Sequence, residues 1–201
     1  MTPKAPNSAT PTEKTPGNPQ SVPDEVLDGL LRVFSARGFD GASLMELAAA
    51  CNRSKASLYH HFPGGKQQMI ESLVVRCQRA LDQQAFACLQ ELKGKKAARK
   101  ALNAFVQGFA NYLQQHQGNC LLATLALTQP GLLGDTQKVQ LAEWQAALSH
   151  ACQQLGHKPK PAKRLAQASL ARLYGSLTLA AMGSHISMNQ ACKWLKRDLL
   201  G

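Results

Sequence analysis

The sequence is notable first for what it lacks. No apolar run approaches the length that spans a bilayer; the longest candidates, Cys120 to Leu127 and Leu177 to Met182, are far too short. Residues 1–21 contain no apolar stretch of the signal-peptide kind and no aromatics. Rich in Pro, Thr, Asn and Ser, they are expected to form a disordered arm, and a cytoplasmic location is expected. There is no C-x-x-C, and no His/Cys pairing at zinc-ligand spacing stands out, so neither a structural metal nor any other cofactor is expected. The six cysteines, Cys51, Cys77, Cys88, Cys120, Cys152 and Cys192, are widely spaced in helical patterns and read as reduced core thiols rather than a disulfide framework. No run alternates apolar and polar residues as a half-buried strand would, and there is no internal repeat.

Acidic residues are also scarce. The 201-residue chain carries 23 Lys and Arg against 12 Asp and Glu, a formal net charge of +11. The surplus is unevenly placed. Between Val22 and Ser72, five basic and six acidic residues sum to −1. The excess lies downstream, in Lys93, Lys95, Lys96, Arg99, Lys100, Lys158, Lys160, Lys163 and Arg164 among others. Global charge is therefore weak support for nucleic-acid binding, and a solvated basic face explains it as well.

What is present is helical periodicity punctuated by Gly and Pro. Ser21 is a candidate cap for a first helix whose stripe is Val26, Leu27, Leu30, Leu31 and Phe34; Gly38 ends it and Phe39 folds back. Ser43 with Glu46 makes a capping box for a second helix that stops near Cys51 and Asn52. A third starts at the cap Ser54 and runs to about Phe62. Pro63-Gly64-Gly65 breaks the chain, and a long helix is expected from Lys66 to Leu92. Five more are expected over Ala97 to His116, Cys120 to Leu127, Asp135 to Leu155, Ala162 to Met182 and Met188 to Leu200.

Two short helices joined by a tight turn, packed on a preceding helix, form a tri-helical helix-turn-helix unit whose last helix enters the DNA major groove. In Ser54-Lys55-Ala56-Ser57-Leu58-Tyr59-His60-His61-Phe62, Leu58 and Phe62 face the core, small Ala56 permits close approach, and Ser54, Lys55, Ser57, Tyr59 and His60 offer donors and charge. The stretch Gly38 to Lys66 resembles the DNA-binding signature of the tetracycline-repressor (TetR) family: a Gly-aromatic pair ending the first helix, a Ser or Thr cap on the second, S-K-x-[ST]-L-Y-x-x-F, and a lysine opening the fourth. Phe-Pro-Gly-Gly-Lys resembles the LmrA/YxaF-like branch. Asn52 and Arg53 depart from the family pattern, which has Gly and an aliphatic residue there.

The resemblance implies an all-α fold, with a helix-turn-helix domain at 22–68 and a larger effector-binding and dimerisation domain at 69–201. It also implies that the chain is not an enzyme but a one-component regulator, released from a palindromic operator by a small-molecule or electrophile effector. Ser43, Arg53, Ser54, Lys55, Ser57, Tyr59, His60 and Lys66 are the expected DNA contacts; for Ser43, Tyr59, His60 and Lys66 an ordinary cap or solvated-surface role is the competing reading. Phe86, Phe105, Phe109, Tyr112, Leu113, Cys120, Leu121, Thr124 and Trp144 are candidate pocket residues, most of them expected to be plain core. The small-residue helix from Ala162, with the last helix, is the expected dimer interface. Gly118-Asn119-Cys120-Leu121 resembles a segment through which some related regulators sense electrophiles, although an inert buried thiol is favoured at Cys120. A thiol-dependent enzyme and an architectural DNA-binding protein that senses nothing are the alternatives.

Overall fold

The computed structural model describes residues 22–116, 118–183 and 187–201. The expected arm at 1–21 and the cap at Ser21 lie outside the described residues. Among the described residues every element is helical, as expected for an all-α chain.

Three short elements build the N-terminal unit. Helix α1 (Asp24–Gly41) buries Val26, Leu27, Leu30 and Phe34. Its regular path ends at Gly38, where φ is 68° and ψ is −178°. Without a Cβ, glycine adopts this geometry freely, and the chain reverses so that Phe39 stacks on Phe34, ring centroids 6.2 Å apart. Helix α2 (Leu44–Ala50) opens on the expected capping box: the Glu46 amide donates to Ser43 Oγ, and the Ser43 amide donates to the Glu46 carboxylate. Asn52 takes the left-handed conformation at φ 52° and turns the chain into α3 (Lys55–His61). Ser54 caps α3 by accepting from the Ser57 amide at 3.1 Å. Gly29 holds this unit tight. A Cβ there would lie 2.6 Å from the Ala50 carbonyl oxygen, so α1 and the end of α2 touch backbone to backbone.

Helix α4 (Gly65–Leu81) is shorter than the sequence suggests. The expected continuation to Leu92 is instead a π-turn at Asp82–Phe86 followed by a 3-10 turn at Ala87–Leu89. The reason is long-range. A Cβ on Gly108 of α5 (Lys95–Gln115) would fall 1.8 Å from the Gln84 carbonyl oxygen, so the widened turn presses its backbone into α5 where only glycine admits it. Helix α6 (Leu121–Thr128) and α7 (Gly134–Gln154) follow, joined by a 3-10 turn at Pro130–Leu132. Helix α8 (Pro159–Ala181) begins earlier than expected. Pro159 and Pro161 fall in its first turn, where a missing N–H interrupts no helical hydrogen bond, so they start the helix rather than precede it. Helix α9 (Met188–Leu200) closes the chain, capped by Ser187.

The buried side chains form one continuous apolar cluster from Val26 through Leu199, so the two expected domains share a core. Helices α5, α7, α8 and α9 make the larger bundle. Phe86 lies flat on Trp144, ring centroids 4.4 Å apart, and tilts against Phe105 at 5.1 Å, filling the space between the π-turn, α5 and α7. Helix α6 packs on both α1 and α4 and so joins the bundle to the N-terminal unit. Arg76 of α4 adds a polar tie, pairing with Asp28 of α1 at 2.7 Å.

Candidate nucleic-acid interface and effector cleft

Helix α3 has two unlike sides. Leu58 and the following Phe62 are buried, whereas Lys55, Ala56, Tyr59 and His60 are exposed along one face, Tyr59 at 45%. An exposed phenol beside an exposed ammonium and an imidazole, on a short capped helix locked by two core anchors, can meet phosphates and base edges. Ser57 is half-buried on the flank of this face.

The other expected contacts are differently placed. Ser54 is exposed, but its Oγ is the α3 cap. The Ser43 hydroxyl is exposed and donates to Glu46 Oε2 at 2.9 Å. Glu46 is held below the usual carboxylate range by the Ser43 amide, then by the Ser43 hydroxyl and Arg37. Arg53 does not project freely: its Nη2 sits 2.7 Å from Glu25 Oε1, tying the turn to α1. Lys66, half-buried in the first turn of α4, lies over the Phe39 ring at 4.9 Å. Lys55 is therefore the exposed, unpaired cation of the third helix among the described residues. Met45, which sequence reasoning did not single out, is exposed on the first turn of α2. Its apolar character gave no signal separating it from core.

The expected pocket residues do not line one cavity. Phe86, Phe105, Phe109, Tyr112, Leu113, Leu121 and Trp144 are packed core. Asp82, missed in the sequence, accepts from Trp144 Nε1 at 2.5 Å and from Gln140, fixing the indole from its polar edge. Of the expected residues, Leu113 borders a separate cleft of about 350 Å³ on the far side of α5, and Cys120 and Thr124 line an open cleft of about 440 Å³ between α6 and α8. It is lined also by Gly118, Asn119, Ala123, Leu127, Thr128, Leu177, Thr178, Ala180 and Met182. A second cleft, of about 600 Å³, separates α1 from the end of α5, between Asp28, Leu31, Arg32, Ser35, Ala36, Arg76, Gln115, His116 and Asn119. Asn119 borders both. Burial, aided by the neighbouring Arg76 charge and opposed by Asp28, holds His116 below its ordinary value.

Cys120, expected as the first residue of this helix, is instead the cap residue just before α6, and the helix start does not activate it. It is 4% exposed, and burial pushes its thiol up to about 11, outweighing the amides of Ala123 and Leu122 that favour the thiolate. Burial likewise raises Cys51, Cys77, Cys88, Cys152 and Cys192. All six thiols are therefore disfavoured as thiolates. Among the described residues no cluster of His, Cys, Asp or Glu is arranged to hold a metal ion. Among the same residues no helix is long and apolar enough to cross a membrane.

Residues 26–73 match the family described as bacterial regulatory proteins, tetR family. The biofilm-operon negative transcriptional regulator IcaR of Staphylococcus aureus (strain Newman) is 39% identical over 54 residues, which are 27% of this chain and 28% of that relative. The transcriptional regulator LmrA of Bacillus subtilis (strain 168) is 30% identical over 67 residues, 33% of this chain and 36% of the relative. The chain thus matches only about a third or less of the length of each relative. In fold the likeness extends over most of the chain. AibR, solved with isovaleryl coenzyme A and operator DNA, superposes with a TM-score of 0.68 over 88% of this chain and 96% of its own, at 19% identity.

Proposed function

We propose, from the premise that residues 26–73 are a DNA-binding domain of the tetR family, that this chain is a ligand-responsive transcription repressor. It acts as a homodimer on a two-fold symmetric operator, reading it with the exposed Lys55–Tyr59–His60 face of α3. That face is the observation on which the proposal rests: a reading surface with no competing burial or ion pairing, on a helix fixed by Leu58 and Phe62.

Two half-sites one helical turn apart require a paired protein. Support for pairing comes from α8, where Ala168, Ala171, Gly175, Leu179 and Met182 recur along one exposed stripe. Leu179 is 44% and Met182 77% exposed, and a Cβ at Gly175 would meet nothing within 4 Å. A second copy of the same stripe would remove this apolar surface from water and exploit the small residues for close approach.

The effector site is the cleft between α6 and α8, and the ligand it takes is noncovalent and predominantly apolar, matching walls of Ala123, Leu127 and Leu177. Since α6 packs on α1, a ligand that displaces α6 changes the preferred spacing of the two reading helices. Release then follows from the difference in ligand affinity between the two arrangements. An electrophile acting at Cys120 is disfavoured by the buried, raised thiol, and the same property of all six cysteines argues against a thiol-dependent enzyme. An architectural protein with no effector would bind DNA equally with or without ligand. The test is to select duplexes from a random library with the full chain. Enrichment of a palindrome with half-sites about 10 base pairs apart supports the reading; enrichment of an asymmetric site, or of none, refutes it.

A further inference from the structure

The pole of the bundle remote from α1 carries nine of the protein's 23 Lys and Arg residues, and we propose that it is a second, sequence-independent DNA-binding surface. Helix packing brings the relevant segments together. The Gly94 amide, at the start of α5, donates to Gln154 at the end of α7 at 2.8 Å. Helix α8 starts immediately beyond α7, and Arg99 donates to the Leu200 carbonyl at the end of α9 at 3.1 Å. The beginnings of α5 and α8 thus share one end of the molecule. The other end of α5, at Gln115 and His116, faces α1 across the second cleft. With 21 residues, α5 sets the two regions about 30 Å apart.

Five cations lie between residues 93 and 100 and four between 158 and 164, all nine of them exposed. None forms an ion pair among the described residues. The acids closest in the chain topology are Glu91 and Asp198, and Asp198 is already engaged by Arg172 and Arg197. The placement also works against helix stability. Lys95, Lys96 and Lys160 occupy first turns that contain no acidic residue, where the helix dipole disfavours a cation. Local folding does not account for charge placed at the wrong helix ends; an external polyanion does.

Duplex DNA fits better than a lipid surface. None of the large exposed apolar side chains lies in 91–100 or 155–164, so the pole has lysines but nothing to insert into an acyl layer. A duplex presents a regular row of phosphates that flexible lysines track without reading sequence, and each contact releases counterions. A molecule seated on one site through α3 would have this surface free for a neighbouring duplex segment.

The pole and the reading helix can be tested separately, using a random-sequence duplex and fluorescence anisotropy against NaCl concentration. In the full chain carrying Lys55→Ala and Tyr59→Ala, binding to that duplex is expected to persist. Adding Lys95→Gln, Lys96→Gln, Lys160→Gln and Lys163→Gln should then weaken it by about tenfold or more and reduce the salt slope by about two to four. The α5 and α8 pairs, made separately, should each give part of the loss, with helical circular dichroism unchanged. Binding abolished by the α3 substitutions alone would overturn the proposal, as would wild-type affinity and slope in the four-lysine variant. So would a loss seen only with phosphatidylserine vesicles and not with DNA.

Discussion

Gln129 Nε2 donates to Asp40 Oδ2 at 2.7 Å, across 89 positions of sequence. Gln129 caps the C-terminus of α6, one wall of the cleft proposed for the effector, and Asp40 lies just past Gly38, where α1 turns toward α2. The bond is a polar link from the cleft to the reading unit, beside the apolar packing of α6 on α1. Exposed as it is, it contributes about 1 kcal/mol at most. Gln129→Ala should therefore leave the unfolding temperature within a few degrees of wild type while speeding amide hydrogen exchange over residues 38–50. Unchanged exchange there would show that α6 communicates through apolar contacts alone.

Gly108 tests the π-turn. Gly108→Ala puts a methyl group into the Gln84 carbonyl, which neither backbone can yield without moving α5 off the turn. Overpacking of this kind costs about 1–3 kcal/mol or more. Urea denaturation should reveal that loss, whereas Gly175→Ala, which meets open space within the protomer, should cost the protomer fold little. Equal stability of Gly108→Ala and wild type would mean that the turn does not press on α5.

Asp82 anchors the aromatic cluster by accepting from Trp144 and Gln140. Asp82→Ala strands the indole N–H in a buried setting, a loss of about 1–3 kcal/mol. Tryptophan fluorescence should shift as the Phe86–Trp144 stack loosens; a variant with wild-type stability and emission would remove Asp82 from this role.

The buried thiols fix a pH dependence. Cys120 and Cys152 are each raised from an unfolded value of 9.0 to about 11. The fold favours their neutral forms, so their contribution is fully present below pH 9 and is lost as pH rises toward 11. Thermal unfolding from pH 7 to 11 should show a falling midpoint above pH 9. The fall should be shallower in Cys120→Ala compared with its own value at pH 7, and Cys120 should alkylate more slowly at pH 7.5 than a free thiol. Rapid labelling of Cys120 would restore the electrophile-sensing alternative.

Local chemistry made the N-terminal unit readable. The Ser43–Glu46 box, the Ser54 cap, the left-handed Asn52 and the break at Gly38 are each decided within a few residues, so their sequence signals survive folding intact. Where distant segments meet, legibility ended. Nothing near Gln84 announces a π-turn, because its cause is the missing side chain of Gly108. Arg53 looked available to a phosphate until Glu25, 28 positions earlier, was seen to hold it. The aromatic residues posed a different problem: Phe86, Phe105 and Trp144 have the same composition whether they line a pocket or fill one. Stacking filled it, and left the opening to aliphatic and hydroxyl side chains of α6 and α8. The charge excess was visible in the sequence from the outset, but only the antiparallel run of α5 and α7 shows that its two halves meet.

The central claim is that α3 reads DNA, and it is tested most directly by anisotropy titration of the selected palindromic duplex with Tyr59→Ala, Lys55→Ala and the wild-type chain. Each variant should keep the wild-type unfolding temperature, since both side chains are exposed. Each should bind the palindrome about 5- to 150-fold more weakly, as loss of about 1–3 kcal/mol per specific contact implies. Lys55→Ala should also lower the salt slope by about one, the mark of a lost phosphate contact. Wild-type affinity for the palindrome in both variants would contradict the assignment of α3 as the reading helix.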